Sequence, residues 1–260
     1  MSRIYIMGDI HGSAGDFTYR VDKYIDNPTA EDIIICAGDV GLEYGNQVQG
    51  ALKKAMKKFP GKIYAMRGNH DNRYWRDHTE VNQENLIVPT AGWYYDIPEC
   101  PMFLIQKKYP NIYYIRDEGS IYNIEGRTFL FVPGAYSIDK DYRLNRNLSY
   151  EYEEQLSFVE KNILYSQLKQ YVQTGGRIDY VISHTSPLGL EPYYKDLFLS
   201  GINQSTVDKS TEYFLDEIEN LLHNNYKHWY FGHFHDDRSF GKFTMLYDEV
   251  VELGETVNGG

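Results

Sequence analysis

Five short apolar runs in this chain each stop at a small residue followed by groups that bind cations or protons. Ile4-Tyr5-Ile6-Met7 leads into Gly8-Asp9-Ile10-His11-Gly12, and Ile33-Ile34-Ile35-Cys36-Ala37 leads into Gly38-Asp39. Ile63-Tyr64-Ala65-Met66 leads through Arg67 to Gly68-Asn69-His70-Asp71. Tyr180-Val181-Ile182 precedes Ser183-His184, and Trp229-Tyr230-Phe231 precedes Gly232-His233-Phe234-His235. β-Branched and aromatic runs bounded by glycine read as buried strands. In an open α/β sheet, ligands gather beyond the carboxyl ends of the strands. Five such strands would deliver carboxylate, amide and imidazole groups to one rim, which is how a metal site is assembled.

The remaining sequence fits that frame. The first hundred residues alternate strand and helix, with helices expected near 14–26 (Ser13 or Asp16 as N-cap) and 47–59, stopped by Pro60-Gly61. This βαβαβ rhythm implies a parallel sheet with right-handed crossovers. Between about 93 and 135 the runs shorten to 102–105, 112–115, 120–124 and 127–132, with Glu125-Gly126 as a tight turn. They read as antiparallel strands, forming either a second sheet or an extension of the first. Segment 136–156 reads as a long polar loop. A helix near 158–174 opens on the capping-box pair Ser157 and Glu160, and a strand at 178–182 follows it. Segment 186–204 reads as a loop, 207–223 as a helix with Phe214, Ile218, Leu221 and Leu222 on one face, 228–231 as a strand and 242–247 as a closing strand. With no linker or repeat in view, residues 1–260 are expected to form a single domain.

Composition limits the partners. A formal net charge of −11 argues against a broad footprint on duplex nucleic acid. Cys36 reads as a small core residue and Cys100 as a loop thiol; two cysteines in 260 residues make no disulfide framework. Met1-Ser2-Arg3 runs directly into a strand, and no apolar run approaches the ~20 residues that span a bilayer, so no membrane association and a cytoplasmic location are expected.

Taken singly, each motif has an ordinary alternative. Asp39 fits an N-cap, Asn69 and Asp71 fit a turn, and His184 fits a hydrogen-bonded core histidine. Asp9 and His11 bracket one residue, as do His233 and His235, so each pair shares one side of an extended segment. Taken together and in order, they point to a metal site.

The series resembles that of the calcineurin-like metallophosphoesterase superfamily: Asp-x-His, Gly-Asp, Gly-Asn-His-Asp/Glu, a later His, and Gly-His-x-His, here spread over residues 9 to 235. The resemblance implies an α/β fold of two facing mixed β-sheets flanked by helices, an αββα sandwich. It implies two metal ions, manganese foremost with iron, zinc or nickel as alternatives, bridged by Asp39 and by a water or hydroxide that attacks phosphorus. One ion would take Asp9, His11 and His235, and the other Asn69, His184 and His233. His70 would be the catalytic histidine that is not a ligand. Asp71 would orient His70 or Asn69, or serve only in a turn.

At the second block the superfamily's protein phosphatases carry Gly-Asp-x-x-Asp-Arg-Gly, whereas this chain reads Gly38-Asp39-Val40-Gly41-Leu42-Glu43-Tyr44. That disfavours Ser/Thr protein phosphatase activity and leaves Glu43 as the candidate substitute for the missing acid. Gly134-Ala135-Tyr136-Ser137-Ile138-Asp139-Lys140, with Arg143 after it, resembles a segment of small bacterial and phage metallophosphoesterases. Tyr136, Ser137, Arg143 and also Arg67 are thus candidates for substrate phosphate. The expected substrate is a phosphorylated small molecule or nucleotide, as monoester or diester. A nuclease or RNA-end-processing enzyme is the alternative if Lys140, Arg143 and Arg146 form a patch, and a metal-free scaffold is a third. Lys53, Lys54, Lys57 and Lys58 read as a solvated helix face, Trp93-Tyr94-Tyr95 as strand packing, and His78, His223 and His228 as surface or core histidines.

Overall fold

The structure is a computed structural model and describes residues 2–44, 47–48, 50–74, 86–87, 103–147, 151–198, 204–223 and 225–253. Its strands are β1 (Ile4–Met7), β2 (Ile33–Ala37), β3 (Glu43–Tyr44), β4 (Gln47–Val48), β5 (Lys62–Met66), β6 (Leu86–Ile87), β7 (Leu104–Gln106), β8 (Tyr109–Tyr114), β9 (Ser120–Ile124), β10 (Arg127–Val132), β11 (Tyr180–Ser183), β12 (His228–Phe231), β13 (Arg238–Phe240), β14 (Phe243–Met245) and β15 (Val250–Glu252). Its helices are α1 (Ala14–Tyr24), α2 (Gly50–Met56), α3 (Lys140–Asn145), α4 (Phe158–Gln173) and α5 (Ser210–Leu222).

Two mixed sheets result. One runs β15-β1-β2-β5-β8-β7-β6 and the other β13-β14-β12-β11-β10-β9, with β3 and β4 as a separate ribbon. Within the first, β1, β2, β5 and β8 are parallel neighbours; within the second, β10, β11, β12 and β14 are. Period-two alternation sorts the side chains of β1 and β2. Tyr5, Met7, Ile34 and Cys36 face α1 and α2, meeting Phe17, Leu52 and Met56. Ile4, Ile6, Ile33 and Ile35 face the second sheet, meeting Tyr122, Phe129, Phe131, Ile182 and Tyr230. On the far face of the second sheet, Leu130, Val181 and Trp229 pack on Leu164 and Leu168 of α4 and Phe214 and Ile218 of α5. Helix, sheet, sheet and helix thus stack as four layers, the αββα sandwich.

Within the run 102–105, residues 104–105 fall in β7, and 112–114 end β8; both strands extend the first sheet, β8 antiparallel to β7 as expected but parallel to β5. The runs 120–124 and 127–132 become β9 and β10 of the second sheet, closed by the Glu125-Gly126 turn. Ser13 is the N-cap of α1, accepting from Asp16 N, and the Ser157–Glu160 capping box opens α4 as expected. The expected helix at 47–59 is shorter, because β4 occupies its first residues. Residues 140–145 form α3 inside the expected loop, and β13 and β15 are strands that the sequence pattern does not signal. The expected solvated lysine face holds for Lys54, Lys57 and Lys58, but Lys53 is buried against Glu43 in a close ion pair. Cys36 is buried in the core; Cys100, His78 and Trp93-Tyr94-Tyr95 lie outside the described residues. His223 caps α5 at the surface, and His228 is half-buried and hydrogen-bonded to Thr244 Oγ1 at 2.8 Å.

Candidate metal centre

The motifs follow β1, β2 and β5 in one sheet and β11 and β12 in the other, so the carboxyl ends of five parallel strands bring them to one rim. Backbone hydrogen bonds knit them together. Ile10 N and His11 N donate to Asp39 O at 3.0 and 2.8 Å, and Gly232 N donates to His184 O at 3.0 Å. Side-chain acceptors join the motifs as well: His70 N donates to Asp39 Oδ1 at 2.9 Å within the first sheet, and His233 N donates to Asp9 Oδ2 at 3.0 Å across the two sheets.

Close approach explains two of the glycines. A Cβ on Gly68 would fall on Asp39 Oδ1, and one on Gly232 would fall on Asp9 Oδ2. Replacing Gly68 with alanine is therefore expected to displace Asp39 and lower metal content, which elemental analysis of the purified variant would read. His11, Asp39, His233 and His235 have φ of 49°, 45°, 74° and 52°, the left-handed region that side chains other than glycine rarely adopt. Such conformations cost of order 1–3 kcal/mol each and persist where the surroundings over-determine them. Here the strain falls on four of the sequence-predicted ligands.

Two groups of electron-rich atoms result. On one side, His11 Nε2 lies 2.9 Å from His235 Nε2, and each is 3.8 Å from Asp9 Oδ1. On the other, Asn69 Oδ1 lies 2.8 Å from His184 Nε2 and 3.0 Å from His233 Nδ1. Asp39 sits between them, with Oδ2 at 3.5 Å from His184 Nε2 and 4.0 Å from His70 Nε2. Asp9, His11 and His235 could hold one ion, and Asp9 and Asp39 also converge with His184.

These groups suit a cation. His184 Nδ1 lies 3.0 Å from Ala37 O, and a carbonyl only accepts, so Nδ1 carries the proton. In the neutral ring the Nε2 lone pair then points at the Asn69 carbonyl oxygen and the Asp39 carboxylate. A proton or a metal ion must stand among them. Two ligand atoms at right angles around an ion with bonds of about 2.1 Å are about 3 Å apart, the spacing seen in both groups.

Electrostatics carries the same imprint. Burial and the neighbouring Asp39 push the Asp9 carboxyl above its usual range, although His184 opposes them. Burial acts on Asp39 in the same sense, but His184, with His70 and His11, holds it well below. Burial would lower His184, yet Asp39 and Asp9 raise it to about 9. Because this folded value lies above the ordinary 6.5, the stabilisation from the charged ring is complete below about pH 6.5 and is lost as pH rises through about 9. A metal ion must displace that proton at neutral pH. Affinity for Mn(II) is therefore expected to rise about tenfold per pH unit between 7 and 8, with proton release seen by calorimetry in buffers of different ionisation enthalpy. An affinity flat across that range would contradict this.

The remaining sequence-predicted residues divide. Ser137 is buried and accepts from Asn69 Nδ2 at 2.7 Å. Arg143, on α3, pairs with Asp139 at 2.6 Å, and both act electrostatically on His70. Tyr136 is half-buried beside Lys140, whose Nζ lies 5.8 Å from its ring centroid. Arg67 is not open to substrate: it is 1% exposed, and its guanidinium donates to the carbonyls of Asp117, Glu154 and Gly68. Glu43 does not replace the missing acid near His70, since it pairs with Lys53 and accepts from Gln106. Asp71 orients neither His70 nor Asn69 by the bonds it makes; its carboxylate accepts from Val40 N, Gly41 N and Gly68 N at 3.0, 2.7 and 3.0 Å. Arg20 belongs to no motif yet supports the site: buried in α1, it donates to Gly8 O and Asp9 O and fixes the first motif from beneath. The sequence signal for it is a charged residue three places after Phe17, on the buried face of α1.

The calcineurin-like phosphoesterase family model matches residues 2–237, and the chain belongs to that family. No match is found among curated proteins. A similar solved structure is the crystal structure of a protein of unknown function from Aquifex aeolicus, 13% identical, covering 71% of this chain and 78% of that one at a TM-score of 0.33. No helix among the described residues is long and apolar enough to cross a membrane.

Proposed function

We propose that this phosphoesterase hydrolyses small phosphate mono- or diesters with two metal ions. Asp9, His11 and His235 would hold one, Asn69, His184 and His233 the other, and Asp39 would contact both. The observation that carries the reading is the convergence of two imidazole nitrogens on the Asn69 amide oxygen at 2.8 and 3.0 Å, beside the Asp39 carboxylate, a donor set that suits a cation. Mixed imidazole and carboxylate donors suit manganese, with iron, zinc and nickel as alternatives. When bound, such a pair supplies a nucleophilic hydroxide near neutral pH and neutralises phosphoryl charge.

The protein's own groups do the rest. Burial, opposed by Asp39 and aided by Arg143, lowers the pKa of His70, so the ring is neutral at pH 7 and can donate one N–H to a phosphoryl or leaving oxygen. Arg143, held by Asp139, would carry charge to the same phosphate. Tyr136 and Lys140 also line an open surface cavity of about 480 Å³, which holds none of the metal-site side chains but would be of a size to take a small-molecule leaving group. Its walls bring Glu153, Glu154, Glu160 and Asp208 against Arg73 and Lys140, which favours a neutral leaving group over a second anion.

A panel of mono- and diesters with added Mn, Ni, Zn, Fe and Mg tests the reading; no metal-stimulated turnover on any ester would end it. His70→Ala is expected to lower kcat by about 10²–10⁴-fold with metal content near normal. Loss of metal instead would make His70 a ligand. The nuclease alternative draws on α3 and its C-cap, which carry Lys140, Arg143 and Arg146, with Arg143 acting on His70. Asp139 and Asp141 dilute that charge, so salt-sensitive binding to a labelled oligonucleotide is not expected.

A further inference from the structure

We infer that Ser137 is a positioning residue that sets the metal affinity of the Asn69 half of the centre. The inference rests on the two-metal reading above. An asparagine amide has an oxygen end that can bind a cation and a nitrogen end that cannot. In the 2%-exposed Asn69, Nδ2 donates to Ser137 Oγ at 2.7 Å, and this leaves Oδ1 facing His184 Nε2 and His233 Nδ1. Ser137 is itself 1% exposed, so water cannot readily stand in for its hydroxyl. Half a turn of the amide would aim its N–H groups at the two imidazoles and withdraw the oxygen. With the oxygen on a cation and Ser137 truncated, the N–H that it received would be left in a buried place, a costly arrangement.

The position of Ser137 in the fold adds a consequence. It opens the segment that runs into α3 and Arg143, whereas Asn69 follows β5. The 2.7 Å bond therefore ties the segment offering charge to phosphate to a group offering oxygen to a metal.

The test is Mn(II) titration of the full metal-free chain, read by calorimetry and by the electron paramagnetic resonance of free Mn(II), with no turnover assay. Wild type is expected to take up two ions. In Ser137→Ala one of them should bind about 10–100-fold more weakly, the range for loss of an outer partner of a ligand, while the other stays within about twofold. Ser137→Cys, close in size but a poor acceptor, should show the same one-site loss and serves if the alanine variant does not fold. In an Asn69→Asp background either oxygen can bind, so adding Ser137→Ala should cost no more than about threefold, well below the range for an outer partner. Unchanged affinity at both sites in both single variants, or equal loss at both, would overturn the role of Ser137. So would an undiminished loss in the Asn69→Asp background. Failure of wild type to bind two ions would instead overturn the two-metal reading itself.

Discussion

Asp39→Asn is expected to abolish turnover almost completely while leaving the fold intact. Asparagine matches aspartate in shape and tolerates left-handed backbone, so the φ of 45° at this position is preserved. The Asp39 carbonyl, which accepts from Ile10 N and His11 N, is untouched. What changes is charge. The carboxylate lies 3.5 Å from His184 Nε2 and 4.0 Å from His70 Nε2, and His184 holds it ionised despite burial. Removing that charge weakens both proposed ion sites together. Loss of an outer partner of a ligand commonly costs 10–100-fold, so loss of a shared inner charge should exceed about 100-fold in kcat/KM. Metal content should fall with it. Near-normal kcat/KM in this variant would refute the assignment of Asp39.

Asp71→Ala is expected to carry the largest cost in stability. The carboxylate is buried and accepts from Val40 N, Gly41 N and Gly68 N, tying the turn after β2 to the turn after β5. Burial and Asp39 push its pKa up to about 6 against these three donors, so at neutral pH it is ionised and the bonds are charge-assisted. Truncation strands three buried N–H groups, at about 1–3 kcal/mol each. A total of ~3 kcal/mol or more is a large share of the 5–15 kcal/mol typical of a domain. For a chain of this size it should lower Tm by roughly 6–12 °C. A calorimetric Tm within about 1 °C of wild type would show that the two turns do not depend on this carboxylate.

The sequence displays the motifs because a buried strand and a glycine are local signals, and so is the Ser157–Glu160 box. Other features depend on neighbours distant in the chain. Lys53 looks like its exposed companions Lys54, Lys57 and Lys58; β3 arriving with Glu43, and the Tyr114 ring beside the ammonium, make its burial tolerable. Arg67 adjoins a motif and reads as a phosphate ligand, yet carbonyls from Asp117 and Glu154, 50 and 87 residues away, claim its guanidinium. Ser137 reads equally well as a phosphate contact until Asn69 is placed beside it. Nor does any local pattern say that β8 joins the first sheet and β9 the second. That division is set by which apolar faces Ile112 and Tyr122 bury, one toward α2 and the other between the sheets.

The most direct test is anomalous diffraction at the manganese edge from crystals of the protein grown with Mn(II). Two peaks about 3.5–4 Å apart are expected, one among Asp9, His11 and His235, the other among Asn69, His184 and His233, with Asp39 touching both. A single peak, or peaks away from these side chains in a Mn-loaded and active protein, would contradict the shared two-ion centre.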